Sequence, residues 1–166
     1  PNAEQRLLGN PKEIAEHATI VDLIRNDLSV YAQEVRVNRY RYVEQIKVQD
    51  DSLLQVSSEI EGILKSGWKK KLGQLLWDIL PAGSISGAPK TKTLAIIRSV
   101  EADPRGYYTG VYGYFDGQNL DSAVAIRFLE RKGQNFFYRS GGGVTSQSDC
   151  KKEYQELLDK IYVPTL

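Results

Sequence analysis

This sequence predicts an α+β fold, with a mostly antiparallel sheet and helices packed on it. Three observations carry that reading. A capped helical stripe runs over residues 10–28, strand-type runs separated by tight-turn dipeptides fill residues 107–140, and a second amphipathic helix follows a glycine run near the end. Helices and strands are grouped rather than alternating one by one, which argues against a parallel α/β sheet.

The elements follow in order. The chain opens in a short polar segment. Asn10 is then a natural N-cap, Pro11 suits the first helical position and Glu13 falls where a capping-box acid sits. Ile14, Ala18, Val21 and Ile24 form a helical stripe that predicts a helix to about Leu28. Val35, Val37, Tyr42 and Val43 indicate extended chain over 34–46, Asp50-Asp51 a break, and residues 53–64 a second strand. Residues 68–79 read as a helix stopped by Pro81-Ala82-Gly83, and the loop GSISGA leads to a helix over about 89–101. Three strands are expected at 107–115, 120–130 and 135–140. Asp116-Gly117 and Lys132-Gly133 turn them into an antiparallel meander. Gly141-Gly142-Gly143 ends the last strand. Ser148 is expected to cap a final helix with Tyr154, Leu157, Leu158 and Ile161 on its apolar face.

At 166 residues, one globular domain with a real core is the default. A hydrophobic share of 41% and a charged share of 26% suit a soluble chain, and a net charge of +1 favours neither nucleic acid nor membrane as a partner. The lone Cys150 rules out an internal disulfide and suits a reducing, cytoplasmic setting. No apolar run reaches the ~18–20 residues a membrane helix needs. An opening Pro1 and the absence of methionine lead us to expect a piece of a longer polypeptide, the alternative being a processed whole protein.

Four carboxylates stand out. Glu13 and Glu16 lie three apart near one end of the chain, and Glu153 and Glu156 three apart near the other, so each pair projects from one side of its helix. Clustered carboxylates repel unless a cation compensates, and oxygen-only ligation suits Mg²⁺ or Ca²⁺. If the fold brings the helices together, they make a metal-dependent site for an anionic ligand. The bland alternatives are a cap role for Glu13 and, for Glu153, Glu156 and Lys160, a solvated stripe with one i,i+4 pair. Glu16 continues towards Ile20 and Leu23, so its carboxylate on a partly apolar face needs a partner or a metal.

Gly141, Gly142 and Gly143 can turn successive N–H groups towards an anion, or simply form a flexible turn. Arg127, placed mid-strand beside Ala123 and Ala125, has room to hold a carboxylate with both guanidinium arms; an edge-strand ion pair is the alternative. Tyr108, also placed mid-strand, offers a hydroxyl or core packing. The loop at 83–90 lacks P-loop spacing, although a small-residue loop before a helix suits an anion or a close contact. His17 is the one histidine, too few for a zinc cluster, and without an evident Ser or Cys partner it supports no triad.

The segments EHATIVDLIRNDL (16–28), PAGSISGAPK (81–90), RGYYTGVYGY (105–114), LDSAVAIR (120–127), SGGGV (140–144) and EYQELLDK (153–160) together resemble the chorismate-utilising enzymes. That family comprises the anthranilate and aminodeoxychorismate (para-aminobenzoate) synthase components I and the isochorismate and salicylate synthases. The resemblance covers nearly the whole chain. It implies that residues 1–166 are the C-terminal portion of a longer chorismate-binding catalytic domain, whose general acid, general base and PIxGT segment lie upstream. No catalytic residue in the strict sense is therefore assigned within this chain.

The resemblance further implies Glu16 and Glu156 as Mg²⁺ ligands, with Glu13 and Glu153 supporting the metal, often through water. Gly141 to Gly143 would give N–H groups to a substrate carboxylate. Tyr108, Arg127 and Lys160 would line the same pocket. The expected activity is Mg²⁺-dependent amination of chorismate to 4-amino-4-deoxychorismate, with ammonia from a glutamine amidotransferase subunit. Anthranilate synthesis is the close alternative, isochorismate-type chemistry the next, and a non-catalytic metal- or ligand-binding module the alternative from another class. Gln55 stands in LLQVSSEI where many relatives carry histidine. Glutamine can hydrogen-bond but cannot exchange a proton at neutral pH, and this segment looks closer to a subset of aminodeoxychorismate synthases.

Overall fold

The computed structural model describes residues 3–48 and 51–161. They fall into two compact units, Pro1–Val100 and Glu101–Leu166. Helices and antiparallel strand pairs make up both, as the α+β expectation requires.

The first unit begins with helix α1 (Ala3–Gly9), where the sequence suggested only a polar lead-in. Seven residues are too few to display a helical period, yet Glu4, Gln5, Arg6, Leu7 and Leu8 are all good helix formers. Helix α2 (Pro11–Ser29) starts as expected. The Asn10 side chain accepts from the Lys12 N–H at 3.0 Å and the Glu13 N–H at 3.5 Å, and Pro11 occupies the first turn. Of the predicted apolar stripe only Val21 is buried, which marks a helix lying on a sheet rather than inside a core.

That sheet is a long hairpin of β1 (Ala32–Val48) and β2 (Asp51–Leu64), paired antiparallel from Ala32 opposite Leu64 to Val48 opposite Asp51. Asp50, expected as part of the break, lies outside the described residues; Asp51 opens β2. The register shifts between Gln33 and Arg36 and between Arg39 and Tyr42, where Glu34 and Arg41 take φ of +52° and +47°. Such bulges bend a strand and re-aim its side chains. Helix α2 packs against both strands.

A 3₁₀ turn at Trp68–Lys71 leads into helix α3 (Leu72–Ile79), where a single helix was expected. The anticipated 83–90 loop contains one helical turn, α4 (Gly83–Ser86), before α5 (Lys90–Val100). Asp27, near the end of α2, organises this segment. One carboxylate oxygen accepts the Gly83 N–H at 3.1 Å and the other meets the Lys90 ammonium at 3.4 Å. Gly83 is buried, and a Cβ there would lie 2.8 Å from the Leu23 Cβ and 3.2 Å from the Asp27 carboxylate. Only glycine lets the two backbones approach this closely.

In the second unit the expected three-strand meander is instead two separate hairpins. Strands β3 (Val111–Phe115) and β4 (Leu120–Val124) pair across the Asp116-Gly117 turn, whose Asp116 carboxylate accepts the N–H groups of Gln118 and Asn119. Strands β5 (Phe128–Lys132) and β6 (Asn135–Arg139) pair across Lys132-Gly133. The predicted 120–130 strand breaks because the chain bends at Arg127. The predicted 107–115 strand starts late because residues 106–109 form a turn, with φ of +61° at Gly106 and +64° at Thr109. Helix α6 (Cys150–Asp159) is capped by Asp149, which accepts the Lys152 N–H at 3.0 Å. Ser148, expected in that role, instead accepts the Thr145 N–H. The apolar face foreseen for α6 leaves Tyr154, Leu158 and Ile161 exposed.

The Asp27 clamp gives a direct stability prediction. Asp27→Ala strands a part-buried N–H and an ammonium and should cost about 1–3 kcal/mol in chemical denaturation. Asp27→Asn keeps an acceptor for Gly83 and should cost less. Equal losses from the two would mean that the Lys90 pair, not the Gly83 bond, dominates.

Candidate functional site

The four glutamates divide two and two between the units. In the first, Glu13 and Glu16 occupy the opening turns of α2, and Lys12 lies 3.6 Å from the Glu16 carboxylate. In the second, Glu153 and Glu156 lie on α6, where the Lys160 ammonium pairs with Glu156. Among the described residues no group of three or more metal-ligating side chains is gathered in place. Each helix thus offers a pair of hard oxygen donors.

The histidine that lacked an evident partner has one. The His17 Nε2 lies 2.7 Å from the Ser58 hydroxyl of β2, and the same oxygen accepts the Arg41 N–H of β1 at 2.9 Å. Ser58 thus joins the His17 ring and the Arg41 backbone through one hydroxyl. Burial, and then the nearby Arg41 charge, hold the His17 pKa below its ordinary value, which favours the neutral ring. Tyr40 packs edge-on against the ring at 5.9 Å. Ser58 could not have been named from sequence, because its partner is 41 residues away and meets it only through the docking of α2 on the hairpin.

Gln55 lies on β2 opposite Glu44. Its Nε2 donates to the Glu44 carboxylate at 3.1 Å and to the Ser57 hydroxyl at 3.2 Å, and Ser57 donates to the same Glu44 oxygen. These bonds, Ser57 first and Gln55 second, pull the Glu44 pKa below the usual carboxylate range. The amide is thereby oriented, with its nitrogen tied down and its carbonyl left to accept. Glu44 and Ser57 escaped sequence reasoning because the pairing needs the hairpin register.

In the second unit Tyr108 and Gly141 are brought together. A Cβ on Gly141 would collide with the Tyr108 hydroxyl oxygen and lie 3.0 Å from Cζ, so the tyrosine packs on the bare backbone. Gly142 and Gly143 have open space where a Cβ would sit. Tyr108 and Arg127 are both off the strands where the sequence placed them: Tyr108 sits in the 106–109 turn and Arg127 on the bend between β4 and β5. Burial raises the Tyr108 pKa, which keeps its hydroxyl a donor; Arg105 and, more weakly, Arg127 oppose the shift. Arg127 is therefore near enough for its charge to act on Tyr108. Arg105 is itself held by Glu101 through bonds of 2.8 and 2.6 Å and stacks near Tyr108 at 5.7 Å. Lys160 is anchored at its carbonyl, which accepts from the Tyr138 hydroxyl at 3.5 Å.

Tyr108, Gly141 and Arg127 are thus the sequence-predicted residues that the second unit gathers. The family model for chorismate binding enzymes matches residues 1–165. The chain belongs to the chorismate binding enzymes. It is 56% identical to an "uncharacterized PabA-like protein" of Pasteurella multocida, over 99% of this chain and 51% of that one. It is 38% identical to anthranilate synthase component 1 of Synechocystis, over 94% of this chain and 31% of that one. The solved anthranilate synthase component I of Streptococcus pneumoniae superposes with a TM-score of 0.81 at 33% identity, over 96% of this chain and 36% of that one. This chorismate-binding chain thus spans about half the length of the PabA-like relative and about a third of the anthranilate synthases. No helix among the described residues is long and apolar enough to cross a membrane.

The Tyr108–Gly141 contact can be tested by a double-mutant cycle. Gly141→Ala should destabilise the protein by about 1–3 kcal/mol through overpacking. In a Tyr108→Phe background, where the colliding oxygen is gone, the same change should cost clearly less. Strictly additive losses in urea denaturation would contradict the contact.

Proposed function

We propose that this chain supplies the carboxylate-holding and metal-holding part of an enzyme that aminates chorismate to 4-amino-4-deoxychorismate, with ammonia delivered by a glutamine amidotransferase subunit. Membership of the chorismate binding enzymes is the observation that carries the substrate. Gln55 in place of histidine, in a segment that looks closer to a subset of aminodeoxychorismate synthases, supports the 4-amino product. The solved anthranilate synthase neighbour supports a second reading, 2-amination with loss of pyruvate.

Chorismate is a dianion, so the site must first bind carboxylates. In this reading Arg127 offers a bidentate guanidinium, Tyr108 a hydroxyl kept protonated by burial, Gly141 to Gly143 backbone N–H groups, and Lys160 an ammonium. Amination forms a C–N bond and breaks the C–O bond of the ring hydroxyl, which leaves with a proton as water. Donors aimed at the carboxylates hold the ring still while this exchange occurs.

Mg²⁺ fits the residues present. It takes oxygen donors and is commonly held by one or two carboxylates, completed by water and an anionic substrate. In this reading Glu16 would offer a carboxylate ligand from α2 and Glu156 one from α6, each backed by its neighbour, Glu13 or Glu153, through water. When bound, the ion would supply Lewis-acid and template chemistry at a substrate carboxylate.

Two substitutions in the full-length protein test this reading. Arg127→Ala should raise the KM for chorismate at least tenfold with a smaller change in kcat, because a charge-assisted carboxylate contact contributes on the order of 1.5–3 kcal/mol. An unchanged KM would assign Arg127 a structural role only. Glu156→Gln should abolish Mg²⁺-dependent turnover while the melting temperature stays within a few degrees of the parent. Near-normal turnover at low Mg²⁺ would remove Glu156 from the ligand set.

A further inference from the structure

We propose that His17 and Ser58 form a positioning pair that sets the metal-holding start of α2 against the β1–β2 hairpin; this rests on the assignment of Glu16 to Mg²⁺. Three elements converge on one oxygen. The Ser58 hydroxyl on β2 meets the His17 ring of α2 at 2.7 Å and takes the Arg41 N–H of β1 at 2.9 Å. Arg41 reaches that bond from a bulge with φ of +47°, and its guanidinium donates to the Leu8 carbonyl at the end of α1, at 3.1 Å. One short chain of bonds therefore runs from α1 through the bulge and the serine to the residue adjoining Glu16.

The placement gives the pair a purpose beyond packing. His17 follows Glu16 directly and lies in the turn after Glu13, so fixing its ring fixes the rotation of α2 at the two acids. Ser58 is three residues beyond Gln55 on the same strand, and Ser57 between them belongs to the Glu44–Gln55 network. The His17–Ser58 bond thus couples the acidic turn of α2 to the strand segment that orients the Gln55 amide. A rotation of α2 by even a small angle would swing the Glu16 carboxylate, whose distance to a small cation must hold within a few tenths of an ångström. His17 and Ser58 act through Glu16, as outer partners act on ligands in metal sites generally.

The test measures Mg²⁺ binding to the full-length protein by titration calorimetry, with melting temperature recorded for every variant. His17→Ala and Ser58→Ala should each weaken Mg²⁺ binding about tenfold, and the double variant should be no worse than either single one, because both remove the same link. His17→Gln, whose side-chain amide can accept from or donate to Ser58 at a similar reach, should recover most of the affinity. Losses that multiply in the double variant, or a His17→Gln protein no better than His17→Ala, would overturn the proposal. Glu16→Gln separates the two levels. If it loses Mg²⁺ while His17→Ala and Ser58→Ala keep parental affinity, the positioning role fails and the metal assignment stands. If Glu16→Gln keeps parental affinity, both fall.

Discussion

Helix α2 must satisfy polar side chains along its whole length on one side, and the first unit is arranged around that requirement. Asn10 closes its free N–H groups at the start, His17 meets the Ser58 hydroxyl in the middle, and Asp27 takes the Gly83 N–H and Lys90 near the end. Each bond reaches a different neighbour: its own first turn, the hairpin, and the α4–α5 segment. Apolar burial fixes the helix only in part, since Val21 is its one buried residue while Ile20, Leu23, Ile24 and Leu28 are half-buried. Directional bonds remove the remaining freedom, and a part-buried polar group left without its partner costs on the order of 1–3 kcal/mol. The acids at the head of α2 inherit their placement from those bonds.

The second unit is arranged around a different constraint, the close approach of Tyr108 to the Gly141 backbone. The 106–109 turn and the Arg127 bend take Tyr108 and Arg127 off the strands, where side chains alternate strictly between faces. Gly141 then accepts the Tyr108 ring at a distance no side chain would allow. Arg105, held by the Glu101 carboxylate, sits beside the same ring. A phenol fixed between a bare backbone and cations is well placed to donate to an anion.

Much of this was legible in the sequence, and the failures have physical causes. The start of α2, the two long strands, the hairpin turns and the glycine run all rest on local signals, namely an N-cap, β-branched runs and turn dipeptides. The Tyr108 strand was misjudged because Tyr-Tyr-Thr favours extended chain, whereas Thr109 adopts φ of +64° between the turn and β3. The Arg127 strand was misjudged because SAVAIRFLE is uniformly strand-like, and its break reflects two separate pairings rather than any local residue. Asp149 displaced Ser148 as cap because adjacent residues of equal capping aptitude are separable only by geometry. The Ser58, Glu44 and Asp27 bonds are all long-range, and no periodicity encodes them.

In the proposed reading the site serves 4-amination of chorismate. The most direct test of that reading is product analysis by liquid chromatography and mass spectrometry of the full-length protein incubated with chorismate, ammonium and Mg²⁺. The expected product is 4-amino-4-deoxychorismate, with the enolpyruvyl group retained, and chelation of the metal should abolish its formation. Accumulation of anthranilate with release of pyruvate, or formation of the same product with Mg²⁺ chelated, would contradict that reading.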